Sequence, residues 1–338
     1  MIKLATFNIP GRHSMLALLV CAASLAGAPT TSAQTAGTQD YPARTVQLIV
    51  PFPPGGPTDI VGRLVAQRLS EGLGRSVVVE NRPGAGGTVG SAAAAKAAPD
   101  GYTLLYGSTS TLAIAPSLYR NLPYDPLVAF APISLVSRGA IVLAVHPAVP
   151  GATLADFIAE ARRTPGRFAY ASAGNGTPPH LAAELFKSVA KIDLLHVPYK
   201  GGAQALNDVV SGQAQAIFEG LVTLAPQIRS GRIRALAITG EQRDPALPDV
   251  PTFAQAGLSQ YDAYFWSGLV APAGTPVEII NRLSSVLAPS LERPDVRDAF
   301  ERQGLQTARS SPLEFGRFIR SEIDRWAQVA KASGAQVD

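Results

Sequence analysis

The 338-residue sequence contains a single cysteine, Cys21, and only four histidines. Cys21 falls in an N-terminal stretch expected to be removed. A mature chain without it forms no disulfide and uses no thiol nucleophile. Charge is also scarce, at 16% of residues with a formal net charge of +4. Lysine and arginine are scattered, with no run longer than Arg162-Arg163, so the pI of about 9.3 does not signal a nucleic-acid partner. No histidine pair has metal-ligand spacing, and no Gly-x-Ser-x-Gly elbow is present, so no metal is expected and catalysis has few candidate groups. The glycine-rich run Arg82 to Gly90 has Val89 where a dinucleotide fingerprint needs its third glycine, and it lacks the Gly-Lys-Ser/Thr of a phosphate loop. It reads as a turn and a tightly packed helix start, and no cofactor is expected. After residue 33 no apolar segment is long enough to cross a bilayer.

What is present begins with a targeting signal. Lys3, Arg12 and His13 precede the apolar stretch Met15 to Ala28, and Thr31-Ser32-Ala33 is a small-x-small site. Residues 1–33 therefore read as a secretory signal peptide with cleavage expected after Ala33. Val20 before Cys21 argues against lipidation. The removed segment carries Lys3 and Arg12 and no acid, so the net charge falls from +4 to +2. A periplasmic protein is expected. A mean hydropathy of +0.14 and 46% hydrophobic residues favour one large or two medium domains with proper cores.

The chain is organised around Leu48 to Leu73. A short apolar run, Val46 to Val50, passes through Pro51-Phe52-Pro53-Pro54-Gly55-Gly56-Pro57. It then becomes an amphipathic helix with Ile60, Val61, Leu64, Val65, Leu69 and Leu73 on one stripe. Gly55 and Gly56 let a ligand approach the backbone. Thr58 or Asp59 can cap the helix, whose free first-turn N–H groups suit an anion. Strand and helix patterns then alternate, which argues for an α/β fold with mostly parallel sheets flanked by helices. Two strands, Ile133–Ser137 and Ile141–His146, are expected before a second array that ends near residue 262. Phe265–Ala271 follows, and after it only helices are expected, whose apolar stripes need a sheet to cover. The chain is thus expected to return to its first lobe. The expected division is 41–143 and 264–338 for lobe 1 and 144–263 for lobe 2, a Venus flytrap with two crossover strands and a cleft as ligand site.

Four strand-to-helix loops are candidates to face that cleft. Lobe 1 offers Phe52, Pro53, Gly55, Gly56, Thr58 and Asp59, and then Ser108 and Thr109. Lobe 2 offers Gly174, Asn175, Gly176, Thr177 and His180, and then Lys200, Gly201 and Gly202. Ligands of doubly wound sheets bind at such carboxyl ends. His180 could donate to a ligand or fix its own loop. His146 and His196 fall in strand positions and read as structural. Phe52, Tyr199, Phe218 and Trp266 could wall a pocket, although aromatic residues at strand ends more often belong to the core. Glu219 is awkward there: it would oppose an anion but suit an ammonium or hydroxyl group.

These segments resemble the Bug, or TctC-like, family of periplasmic solute-binding receptors of tripartite tricarboxylate transport systems. The resemblance rests on YPARTVQLIVPFPPGGPTDIVGR, VVVENRPGAGGTVGSAAAAKAAPDGYTLL, ASAGNGTPPHLAAELF, HVPYKGGAQALNDVVSGQ, RIRALAIT, DVPTFAQAGL and WSGLVAPAGTP, in the family's order over essentially the whole mature chain. It implies a two-lobed clamshell that closes on a small organic carboxylate without chemistry. The ligand would be held by backbone groups of Phe52 to Asp59, of Ser172 to Thr177 with His180, and of Tyr199 to Gly202. A membrane subunit of a tripartite transporter or a sensor kinase would be the partner, and a monomer is expected. Thr177-Pro178-Pro179 departs from the family, which often has serine after the second glycine; two prolines remove two N–H donors. No arginine clamp for a second carboxylate is visible in these loops, Lys200 being the one basic residue there, which favours a monocarboxylate or an aromatic acid over citrate. The alternative is an exported hydrolase-type enzyme using His180 and Glu219 in the same cleft, which lacks any nucleophile motif.

Overall fold

The computed structural model describes residues 41–337; the signal-peptide segment 1–33 and its cleavage site lie outside the described residues. Strands β1 (Val46–Val50), β2 (Val77–Asn81) and β3 (Thr103–Ser108) run parallel in the order β2-β1-β3. Helix α1 (Pro57–Leu73) follows β1 and α2 (Thr88–Ala95) follows β2. A π-helical segment (Ser110–Ile114) and α3 (Ala115–Leu118) follow β3, and α4 (Pro126–Ala129) leads to the longest strand, β4 (Phe130–Val145). The second array is α5 (Leu154–Arg163), β5 (Ala169–Ser172), α6 (Pro178–Ala190), β6 (Leu195–Pro198), α7 (Gly202–Val210), β7 (Ala216–Gly220), α8 (Leu221–Arg229) and β8 (Arg234–Ile238). The chain closes with β9 (Tyr264–Pro272), α9 (Val277–Leu291), α10 (Pro294–Glu301), β10 (Leu305–Thr307) and α11 (Pro312–Ser333).

The expected pair of strands at 133–146 is one continuous strand. Residues Phe130 to Ala140 of β4 pair antiparallel with β9, whereas Ile141 to Val145 pair with β7 and β8. The strand therefore passes from one sheet to the other between Ala140 and Ile141. The pairing with β9 shifts register after Pro132 and after Leu135, as bulges do. Ser137-Arg138-Gly139 breaks the apolar run and reads in sequence as a gap, yet Ser137 is buried at 1% exposure. The sheets are mixed and not mostly parallel: strands away from the crossing are parallel to their neighbours, while β4 and β9 run antiparallel to theirs. Helices alone were expected after β9, but β10 adds an edge strand antiparallel to Ser137–Gly139. Three residues without alternation carry too little pattern to announce it.

Apolar stripes fix the layers. Val61, Val65 and Leu69 of α1 and Ile280, Leu283 and Leu287 of α9 are buried against the same face of the first sheet. Ala205, Leu206 and Val209 of α7 join Leu221 and Leu224 of α8 on one face of the second sheet. The largest cluster runs through both sheets, from Leu105 and Leu112 to Phe186 and Phe218, with Phe315, Ile319 and Trp326 of α11 among its members. Helix α11 touches both α6 and the π segment, so it bridges the two halves. Its start is set by a capping box: Ser311 Oγ accepts from Glu314 N–H, and Glu314 accepts from Ser311 N–H. The expected variant box at Thr153 and Asp156 forms at α5. In the glycine-rich run after β2, a Cβ on Gly90 would come within 2.6 Å of Arg82 O, so this run packs a helix start against a turn.

Candidate ligand-binding site

A cavity of about 300 Å³ opens between the two sheets. Its lining comes from the carboxyl ends of β1, β3 and β7, from the stretch of β4 and β9 near the crossing, and from the Gln303-Gly304-Leu305 turn before β10. Among the expected residues, Phe52, Thr58, Ser108, Thr109 and Glu219 border it, together with Trp266.

The first jaw is the start of α1. Gly56 is the N-cap residue, with no side-chain cap, and Pro57 occupies the first turn without an N–H. Neither Thr58 nor Asp59 is the cap residue. Thr58 borders the cavity, and first-turn N–H groups have no intrahelical partner. Asp59 is buried at 3% exposure and lies outside the lining. Its carboxylate accepts from Gly55 N–H (2.9 Å), Arg63 Nε (2.9 Å) and Asn81 Nδ2 (2.8 Å). Burial alone would raise its pKa, but Arg63, the Gly55 N–H and Asn81 outweigh this and hold it below the usual carboxylate range. Gly55, at φ +84°, thus donates to Asp59, and Pro53, Gly55 and Gly56 form the outer frame of the loop rather than the cavity wall.

The floor is a chain of hydroxyls. Tyr106 Oη lies 2.5 Å from Ser267 Oγ, which lies 2.6 Å from Ser137 Oγ. Burial pushes the Tyr106 phenol up to about 12, so it stays protonated. Thr109 Oγ1 accepts from Trp266 N–H at 2.8 Å and so fixes the β3 end against β9. Ser108 Oγ is buried and has no hydrogen-bond partner. Phe52, Leu221, Val222, Phe265 and Trp266 supply apolar walls. The indole of Trp266 is held from behind, where Glu322 Oε2 accepts from its Nε1 at 2.8 Å and from Trp326 Nε1 at 3.1 Å.

The second-half loops are placed differently from the expectation. Of the Gly174–His180 turn, only Pro178 reaches the lining; Ser172, Gly174, Asn175, Gly176, Thr177 and His180 do not. The turn satisfies itself. Gly176 N–H donates to His180 Nδ1 (3.0 Å), Thr177 Oγ1 to Gly174 O (2.7 Å), and Ser172 Oγ contacts His196 Nε2 (2.7 Å). His180 and His196 stack at 4.0 Å between ring centroids, and Tyr170 stacks on His196 at 4.8 Å. Burial lowers the pKa of both imidazoles to about 4, helped by Lys187 at His180 and by His180 at His196. With Nδ1 accepting, His180 is the Nε2–H tautomer and fixes its own loop. Tyr199, Lys200, Gly201 and Gly202 also lie outside the lining, and Tyr199 Oη is hydrogen-bonded to Asp208. Phe218 is fully buried in the core.

Sequence reasoning missed the residues that replace them. Gly220, Leu221, Val222 and Thr223, the start of α8, border the cavity, as do Phe265, Ser267 and the turn at Gly304. A Cβ on Gly304 would come within 2.8 Å of Val222 Cβ, so the C-terminal turn closes directly onto α8. The available signal was Glu219-Gly220 followed at once by the helix pattern of Leu221 to Arg229, which leaves no room for a loop between strand end and helix start. Glu219 Oε1 accepts from Gly220 N–H at 2.9 Å, and Oε2 lies against Gly202. Burial raises its pKa, partly offset by the Gly220 hydrogen bond. Among the described residues no lysine, arginine or histidine borders the cavity, and Glu219 is the one carboxylate in its lining. Among the described residues no group of three or more His, Cys, Asp or Glu could hold a metal ion, and no helix is long and apolar enough to cross a membrane.

Two α/β halves joined through crossing strands, with a ligand-sized cavity between their strand ends, define a two-lobed periplasmic-binding-protein fold. The chain belongs to the tripartite tricarboxylate transporter family of receptors, whose model matches residues 61–335. It is 40% identical to BugT of Bordetella pertussis over 298 residues, which is 88% of this chain and 91% of that protein. Rpa4515 of R. palustris, solved with adipate, is 36% identical and superposes with a TM-score of 0.74 over 88% of this chain and 100% of that one. MatC of Rhodopseudomonas palustris, solved with malate, is 34% identical with a TM-score of 0.70 over 86% of this chain and 99% of that one.

Proposed function

We propose that the protein is an exported periplasmic receptor that captures a small organic carboxylate in the inter-lobe cavity and performs no chemistry on it. The lobes are taken as 41–143 with 264–338, and 144–263. The carrying observation is the start of α1: Pro57 and Thr58 border the cavity, whose lining among the described residues holds no basic side chain. Oriented N–H dipoles and hydroxyls, not a charged clamp, are then what the site offers an anion. Adipate and malate in the related structures belong to the same ligand class. Contacts to both lobes would favour the closed form, which a membrane transporter subunit or a sensor kinase would recognise. A hydrolase would need His180 beside Glu219, and only Glu219 borders the cavity.

A thermal-shift panel of the mature chain with mono-, di- and hydroxycarboxylates, adipate and malate included, tests this. An acid at a hundredfold excess over its Kd stabilises by about 2.7 kcal/mol. If no carboxylate raises the melting temperature, the receptor reading fails. Release of any product from a bound acid would reinstate an enzyme.

A further inference from the structure

The two ends of the cavity differ in sign. The lobe-1 end has the free start of α1 at Pro57 and Thr58 and the buried, unpartnered Ser108 Oγ. Its one nearby acid, Asp59, is turned away and held by Gly55, Arg63 and Asn81. The lobe-2 end has the starts of α8 and α7, and Glu219 sits beside both: one carboxyl oxygen accepts from the N–H of Gly220, the N-cap residue of α8, and the other lies against Gly202, the first residue of α7. The positive potential that a helix N-terminus would offer an anion is there answered by the protein's own carboxyl. Between the ends the walls are apolar and aromatic: Phe52, Leu221, Phe265 and Trp266.

Building on the receptor reading above, we infer that the cavity selects a monocarboxylate with an apolar body and a hydrogen-bond donor at its far end, a hydroxyl or an amino group. The carboxylate sits at Thr58 and Ser108, and the donor meets Glu219. A second carboxylate would face Glu219, and among the described residues no lysine, arginine or histidine lines the cavity to offset it. Burial already disfavours charge on Glu219, so a second carboxylate beside it is admitted only with uptake of a proton, a cost that a hydroxyl or amino donor does not carry. This sets the chain apart from the relatives solved with adipate and malate.

Isothermal titration calorimetry on matched pairs tests it: 6-hydroxyhexanoate against adipate, and 4-hydroxybutanoate against succinate. In the wild-type protein the better-fitting hydroxy acid is expected to bind at least tenfold tighter than its diacid. Glu219→Gln keeps an acceptor for Gly220 N–H and is expected to bring that ratio to within about threefold, mainly by improving the diacid. Ser108→Ala is expected to weaken all bound acids alike, by roughly threefold, while raising the melting temperature of the free protein, because it removes a buried hydroxyl with no partner. A diacid that binds as tightly as its hydroxy acid, a ratio unmoved by Glu219→Gln, or binding of neither hydroxy acid overturns the inference. If diacids still bind, the receptor reading survives; if no acid of the wider panel binds, both readings fall.

Discussion

Two glycine-rich turns, Pro53 to Asp59 and Gly174 to His180, look alike in sequence, and the molecule treats them in opposite ways. Both lie between a parallel strand and a helix whose first turn holds proline. At α1 the buried acid, Asp59, collects one loop N–H and leaves Thr58 at the cavity. At α6 the buried base, His180, collects the Gly176 N–H, and the second proline, Pro179, removes a further donor. A Cβ on Gly176 would meet Leu118 and Val337 at 2.7 Å, so this turn is packed against the first half of the molecule. One turn opens on the cavity and the other is packed as a joint. The lesson is that a glycine-rich βα turn predicts backbone donors, and the hydrogen bonds around it decide whether those donors remain free.

The largest effect should come from blocking the first turn. Thr58→Asp places a carboxylate where the ligand's own would sit. Affinity for any carboxylate that binds the wild type is expected to fall at least 100-fold, about 2.7 kcal/mol. Folding stability should hold or rise by about 0.3–1 kcal/mol, since an acid suits a helix N-terminus. Calorimetry paired with thermal melts reads both. Retained affinity would mean that the anion sits elsewhere and that the contrast between the two turns is misplaced.

The second effect falls on stability and belongs to the other turn. His180→Ala leaves the Gly176 N–H without its acceptor and opens a gap beside His196, a loss of about 2–3 kcal/mol in stability with ligand affinity within about threefold. The pH profile sharpens this. Both imidazoles have folded pKa values near 4, below their unfolded value of about 6.5. The unfolded chain therefore binds more protons between those limits, and stability rises with pH there. Their contribution is fully present above about pH 6.5 and is lost as pH falls toward 4. Melting temperature should drop through that window in the wild type and drop less in His180→Ala. An unchanged acid limb in the variant would show that the pair does not hold the joint.

Much of this was readable from the residues. The pattern from Val46 to Leu73 carries its own strand, turn and helix, because local chemistry fixes each: an apolar run, prolines and glycines, then a 3.6-residue stripe. Helices α8 and α9 have the bounds their stripes imply. What could not be read is tertiary. The crossing strand β4 looks like two strands because Ser137, Arg138 and Gly139 are polar or small, and only the hydroxyl chain through Ser267 explains a buried serine there. The second wall of the cavity is the start of α8, which follows directly on Gly220, the last residue of β7, so no loop advertises it. The Gln303–Leu305 turn reaches the cavity only because the chain returns to β4 after two helices, α9 and α10. Glu219 stood out as awkward in sequence, and its geometry against Gly220 and Gly202 gives that awkwardness a physical content.

The smallest expected effect bears most directly on what the family resemblance leads one to expect of lobe 2. Asn175 and Lys200 are exposed and lie outside the cavity lining, and the donors beside Asn175 are already bonded within its turn. Asn175→Ala and Lys200→Ala should each change ligand affinity by less than about twofold and stability by less than about 0.5 kcal/mol, as surface substitutions away from special features do. Lys200 also carries the one charge in the Tyr199–Gly202 turn that could serve a second carboxylate. If Lys200→Ala weakens a diacid tenfold while sparing a hydroxy acid, then the turn moves into the cavity when the ligand binds, and Glu219 must shift away from Gly202 to admit it. A null result for both variants, set beside a large loss in Thr58→Asp, would leave lobe 1 and the start of α8 as the jaws and the Gly174–His180 turn as the joint between the two halves.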